Sequence, residues 1–213
     1  MAGNLYRWLA GGARGDPADR HVFACALALG LTEADRPLGV ALGLSTDQLA
    51  ALSDRIFPHA APFIAGHAGD EGEVSAAIEE PDLRRLLLDH RSRGAAEETW
   101  LAHIIARRSQ GANHLWQDLG LTSRADLGGL MKRHFAPLAA KNSRDMKWKK
   151  FFYRELCQLD GIPICKAPTC DSCSDFGQCF GGEEGDPVGA LRPQLVHVLS
   201  LMESRDGEHS RNP

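Results

Sequence analysis

Apolar residues along this chain recur at intervals of three and four, and no stretch shows the strict alternation of a half-buried strand. That pattern predicts an all-α fold: a multi-helix, bundle-like domain with a C-terminal cysteine-rich loop. Helix starts are marked by chemistry as well as by period. Asp16-Pro17 places an N-cap before a proline at the first helical position, so a helix is expected over residues 17–29, with Gly30 ending it. Residues 36–42 read as a second, short piece. Ser45-Thr46-Asp47-Gln48 has the capping-box form and opens a helix to about Ile56, after which Pro58 and Pro62 break the chain.

Further along, residues 66–72 are rich in Gly, Asp and Glu and read as a loop. Residues 73–91 are helical in pattern, with Pro81 marking a break or a fresh start. Residues 95–110 place Trp100, Ile104 and Ile105 on one helical face. A short element is expected over 113–119. Thr122-Ser123 opens a helix to about Leu138, and residues 142–159 form the last strong one, capped by Asn142 or Ser143. After Gly161 the texture changes to Pro, Cys, Gly and Asp until about residue 186, which reads as loop. Residues 188–202 suit one more helix, and 203–213 are polar. Three regions follow: a helical region 1–94, a helical core with the cysteine-rich loop 95–186, and a short helix with a flexible tail 187–213.

Composition narrows the function. Hydrophobic residues make up 43% and charged residues 24% of the 213, enough apolar surface for a sizeable core. The net charge of −4 argues against a general nucleic-acid binder. Residues 39–45 and the helix after them faintly suggest a helix-turn-helix, but no basic recognition helix follows, so packed helices are the better account. No basic region precedes a long apolar run at the N-terminus, and no membrane-length apolar stretch occurs. A cytoplasmic protein with no membrane partner is expected. Thiols stay reduced there, so the six cysteines read as metal ligands before they read as disulfides. Cys25, inside the apolar run Val22-Phe23-Ala24-Cys25-Ala26-Leu27, reads as a buried core thiol.

The remaining pattern is dense. Cys165, Cys170, Cys173 and Cys179 are spaced C-x4-C-x2-C-x5-C within a segment rich in Pro and Gly. A loop can wrap its sulfurs around one centre, and glycine lets backbone N–H groups turn toward sulfur. Structural zinc sites favour two close cysteine pairs separated by a longer stretch, whereas only Cys170 and Cys173 form such a pair here. The run favours an iron–sulfur cluster and leaves zinc in contention.

The helix before this segment adds charge. Residues 141–154 carry six Lys or Arg in a chain that is acidic overall. At about 100° per residue, Trp148, Phe152, Leu156 and Leu159 share an apolar arc, and Lys147, Lys150 and Arg154 share a basic one. The basic arc is either a solvated face or a contact for an anion or a partner. Cys157 is a candidate fifth ligand, although a packed thiol at a helix end is the simpler account. His114 and His134 are weaker candidate ligands.

The stretch His114-Leu-Trp-Gln-Asp-Leu-Gly-Leu121, the run His134-Phe-Ala-Pro-Leu-Ala139, the run Met146-Lys-Trp-Lys-Lys-Phe-Phe-Tyr-Arg154 and the four-cysteine loop ending Cys179-Phe-Gly resemble the NifQ family. The resemblance covers residues 98–184, agrees at all four cysteines, and is only loose over the first ninety residues. It implies a non-catalytic carrier that holds a molybdenum–iron–sulfur cluster on the cysteines, with molybdate as precursor. It further implies that the carrier supplies molybdenum for the iron–molybdenum cofactor of nitrogenase, acting with the nitrogenase iron protein and the cofactor-assembly scaffold. Soft thiolates suit iron and sulfide-bound molybdenum, and Lys147, Lys150 and Arg154 would draw in a dianion. A zinc-stabilised interaction module and an iron–sulfur redox protein are the alternative readings of the same residues.

Overall fold

The computed structural model describes residues 2–33, 35–69, 79–161, 170 and 173–184. Cys165, the start of the helix expected over 73–91, and the helix and tail expected over 187–213 lie outside the described residues. Among the described residues there are twelve α-helices and no strand, so the chain is all-α as its periodicity requires. No helix among them is long and apolar enough to cross a membrane.

Contacts divide the described residues into two units. The first contains the residues up to 69 together with 119–122. Its helices are α1 (Ala2–Gly11), α2 (Pro17–Gly30), α3 (Leu38–Leu42), α4 (Thr46–Ile56) and α5 (Ala61–Ala65). Helix α2 begins as its sequence dictates. The Asp16 carboxylate accepts the backbone N–H groups of Ala18 and Asp19, and Pro17 occupies a position that needs no donor. Cys25 is buried in this helix beside the His21 ring, as a core thiol should be. Helix α1 was not foreseen; Leu5 and Leu9, one turn apart, are both buried against the rest of the unit. Pro62 was expected only to break the chain, but it lies in the first turn of α5, where proline is pre-organised for a helix.

Helix α4 carries the full capping box. Ser45 Oγ accepts from Gln48 N at 3.2 Å, and the Gln48 side chain accepts from Ser45 N at 3.0 Å. Ser45→Ala is expected to cost about 1 kcal/mol, read as a lower urea midpoint with unchanged helix content. An unchanged midpoint would mean the cap contributes nothing.

The second unit contains α6 (Glu80–Asp89), α7 (Ala96–Arg108), α8 (Leu115–Asp118), α9 (Arg124–His134), α10 (Ala136–Lys141), α11 (Trp148–Leu159) and α12 (Phe176–Phe180). Helix α6 packs on α7 and α11, and α9 packs on α8 and α10. Pro81 sits in the first turn of α6, so it starts this helix. Leu83, Leu87, Leu101, Ile104, Ile105, Leu127, Met131, Phe135, Leu138 and Phe152 form its buried set. The buried Glu80 carboxylate lies 3.3 Å from Arg84 Nη2 and 3.1 Å from Arg107 Nε, so its charge is compensated.

Two expected boundaries change. The helix expected from Ser123 to Leu138 stops at Phe135 and restarts as α10. Pro137 explains this: it has no N–H, and its ring would clash with the carbonyl four residues back. Ser92 seals the break, its N–H donating to His134 O (2.9 Å) and its Oγ accepting from Ala136 N (2.9 Å). The last long helix begins at Trp148 rather than at 142, and neither Asn142 nor Ser143 caps it. Asn142 instead closes a turn, donating to Met146 O and accepting from Met146 N, both at 2.8 Å. Within that turn Asp145 adopts φ +56°, a left-handed conformation that Asp tolerates better than most residues. The apolar arc of α11 is buried only in its first half. Trp148, Phe151 and Phe152 are buried, whereas Leu159 is 71% exposed.

Candidate metal centre

The three described cysteines of the motif, Cys170, Cys173 and Cys179, are all half-buried, and no disulfide joins them. Cys173 N–H donates to Cys170 O at 3.2 Å, and Phe176 N–H to Cys173 O at 3.2 Å, so a tight turn links the C-x2-C pair to the start of α12. The segment was expected to be loop throughout; Cys179 in fact lies on the short helix α12. Two features build that helix. Phe176 and Phe180, one turn apart, stack at 4.6 Å between ring centroids. Gly181 N–H donates to Gly177 O at 2.9 Å, and a Cβ at Gly181 would collide with that carbonyl. Among the described residues no three His, Cys, Asp or Glu side chains are gathered as a metal-binding group, and Cys165 stands outside that set. The donor chemistry of the motif is nonetheless all thiol, with Cys170, Cys173 and Cys179 partly open to solvent, and fits a soft or sulfide-bridged metal.

Around these cysteines the chain supplies a set of anchors. Lys147, immediately before α11, donates its backbone N–H to Cys179 O at 2.8 Å, and its Nζ lies 3.5 Å from Gly177 O. The Arg144 guanidinium sits over the Phe180 ring, 5.6 Å from its centroid. Glu183, just past the motif, has a side chain only 5% exposed. Its Oε1 lies 3.0 Å from Arg124 Nη1 and 3.5 Å from His114 Nδ1. Arg124 Nη2 in turn donates to the carbonyl of Asp145 at 2.7 Å and to its carboxylate at 3.0 Å.

The basic residues before the motif divide. Lys149 Nζ is bound to Asp118 Oδ2 (2.6 Å) and to Gly111 O (2.7 Å). Lys141 pairs with Glu155 at 3.4 Å. Lys150 is exposed, Lys147 is half-buried at the start of α11, and Arg154 is half-buried with its Nε in no hydrogen bond among the described residues. Cys157 is half-buried on α11. His134 is buried at the break between α9 and α10, and His114 faces Glu183. Arg124, Asp145 and Glu183 were not singled out from the sequence. One signal was available: an arginine in the first turn of a helix opposes the helix dipole, and so invites a search for the acid it serves.

Comparison with known proteins identifies the chain's relatives. A NifQ homolog of Sinorhizobium fredii is 42% identical over 180 residues, covering 81% of this chain and 77% of its own length. The NifQ protein of Rhodobacter capsulatus is 42% identical over 157 residues, covering 73% of this chain and 81% of its own. That of Azotobacter vinelandii is 38% identical over 152 residues, covering 67% and 78%. No solved structure matches. The family's sequence model, described as NifQ, matches residues 22–181, and so takes in much of the N-terminal half as well as the cysteine segment. The chain belongs to the NifQ family.

Proposed function

We propose that this protein is a non-catalytic carrier in the molybdenum handling of nitrogen fixation. On this reading Cys165, Cys170, Cys173 and Cys179 hold a molybdenum–iron–sulfur cluster as cargo, in the cytoplasm, where thiols stay reduced. The cargo passes toward the iron–molybdenum cofactor of nitrogenase, with the nitrogenase iron protein and the assembly scaffold as partners. The observation that carries the proposal is membership of the NifQ family together with a cysteine segment in which the thiols of Cys170, Cys173 and Cys179 stay half-buried instead of sealed in a core. A carrier must give up what it binds, and partly exposed ligands on a surface segment permit that. Molybdate is a dianion, and the exposed Lys150 with Lys147 beside the segment favours its approach.

The test is elemental. Protein isolated without oxygen should contain iron, acid-labile sulfide and molybdenum, and should give an EPR signal from a coupled iron–sulfur system. A colourless protein with stoichiometric zinc and no sulfide would overturn the proposal in favour of a zinc-stabilised interaction module. Iron and sulfide with reversible one-electron chemistry, but no molybdenum under molybdate-replete growth, would point to a redox protein.

A further inference from the structure

We propose that Arg124 and Glu183 are positioning residues that clamp residues 173–184 in place within the second unit, and that opening this clamp is the step that exposes the sulfurs of Cys173 and Cys179 and lets cargo leave. The part concerning cargo rests on the carrier reading above; the clamp itself does not.

Among the described residues no further helix follows α12 in the segment 173–184, yet besides the Arg144–Phe180 contact the segment has two hydrogen-bonded or ionic anchors that concern the clamp. One is main-chain: Lys147 N–H grips the carbonyl of Cys179 itself. The other is ionic: Glu183, four residues past Cys179, inserts its carboxylate between Arg124 and His114. These two anchors are joined to each other. Arg124 also binds both the carbonyl and the carboxylate of Asp145, and Asp145 belongs to the turn that Asn142 closes and that delivers Lys147 to Cys179. A single guanidinium thus ties the residue after the motif to the turn that grips the motif's last cysteine. Arginine's planar fork allows this, because one nitrogen serves Glu183 while the other serves Asp145.

Three features indicate that this arrangement has a task besides general stability. Arg124 stands in the first turn of α9, where the helix dipole disfavours a cation, so the residue is there for its partners. Asp145, at φ +56° in its turn, offers both its carbonyl and its carboxylate to that same guanidinium. The Glu183 carboxylate is nearly fully buried on a segment otherwise half-buried or exposed, so it is the point at which the segment commits to the body. A buried carboxylate paired with a guanidinium is strongly held while both partners remain and strongly disfavoured when one is lost. The pair can therefore act as a two-state closure, with thiol access following the open population.

The test uses the full-length apoprotein, reduced and without oxygen, with each cysteine's alkylation by a maleimide followed by mass spectrometry. Glu183→Gln is expected to speed labelling of Cys173 and Cys179 by about tenfold, with helix content unchanged and Cys25, buried in α2, labelling at its wild-type rate. Arg124→Gln should have the same effect, and the double variant should add little, because either change opens the same clamp. Arg124→Lys keeps the charge but cannot serve Glu183 and Asp145 together, so it should fall between. Unchanged rates at Cys173 and Cys179 in both single variants would overturn the clamp. So would an equal acceleration at Cys25, which would make the pair a general stabiliser. In loaded protein, Glu183→Gln should speed metal transfer to a chelator from the same starting content. If the wild type binds no molybdenum but the labelling pattern stands, the carrier reading fails and the clamp survives. If metal binds and the labelling is unaffected, the reverse holds.

Discussion

Cys170→Ala, Cys173→Ala and Cys179→Ala chains isolated without oxygen are expected to lose iron and molybdenum by well over tenfold, while keeping the wild-type helical spectrum. None of the three side chains belongs to the buried core. Each of these residues also bonds through its backbone: the carbonyl of Cys170 in the turn, the N–H and carbonyl of Cys173, and the carbonyl of Cys179 for Lys147. Alanine keeps all of those groups and removes only the sulfur. Cys25→Ala is the matched control. Its thiol is buried in α2 beside His21, so its loss should lower the unfolding midpoint and leave metal content alone. Full iron content in the Cys173 and Cys179 variants would remove the motif from the site. Loss of helix along with the metal would mean that the thiols serve the fold.

The features legible in the sequence are those whose physics is local. A cap and its helix lie within four residues of each other, so Asp16-Pro17 and the Ser45–Gln48 box could be read directly, and both occur as read. The cysteine spacing is local in the same sense. Errors arise where a local rule had two outcomes. Pro62, read only as a break, begins a helix, whereas Pro81, for which a fresh start was one of the two readings, begins one as that reading has it. Asn142 can cap a helix or close a turn, and it closes a turn because Met146 offers both a donor and an acceptor to its amide. Pro137 splits the expected long helix because Ser92, far away in sequence, can satisfy the groups the break exposes.

The clamp was illegible for a stronger reason. Arg124, Asp145 and Glu183 lie on three separate stretches, and no periodicity links them. The same tertiary pairing changes the meaning of the basic run before the cysteines. As sequence it is a stripe of cations; in the fold Lys149 is neutralised by Asp118, Lys141 by Glu155, and Arg144 covers Phe180. Two of the six charges are therefore paired inside the unit, and a third is turned onto a ring. What remains for an incoming anion centres on Lys150 with Lys147, a smaller attraction than six charges would imply.

Glu98→Gln is expected to cost about 2–3 kcal/mol, the largest stability loss of any single polar change proposed for this chain. Helix α7 starts after Ala95, which has no side chain to cap it, and Glu98 reaches back to do so. Its fully buried Oε2 accepts three successive backbone N–H groups, from Arg93 (3.0 Å), Gly94 (2.7 Å) and Ala95 (3.2 Å), while Oε1 accepts Arg93 Nε at 3.3 Å. Gly94, at φ +73°, turns these donors inward to form an anion nest. Burial by itself would raise the carboxyl's pKa. The hydrogen bonds from Arg93, Ala95 and Gly94 outweigh that and hold it below its ordinary value of 4.5. Between the lowered folded value and 4.5 the unfolded chain binds more protons than the folded one, so stability rises with pH across that window. The contribution of Glu98 is then complete above about 4.5 and is lost as pH falls through the folded value. Glutamine keeps one acceptor but turns an N–H group toward a donor, and it has no charge to lose. Urea midpoints measured from neutral pH downward should therefore show a gap between wild type and Glu98→Gln that is constant near neutrality and narrows below about pH 4.5. A gap that persists unchanged into acid would mean that the nest holds the side chain by shape, and that its ionisation contributes nothing to folding.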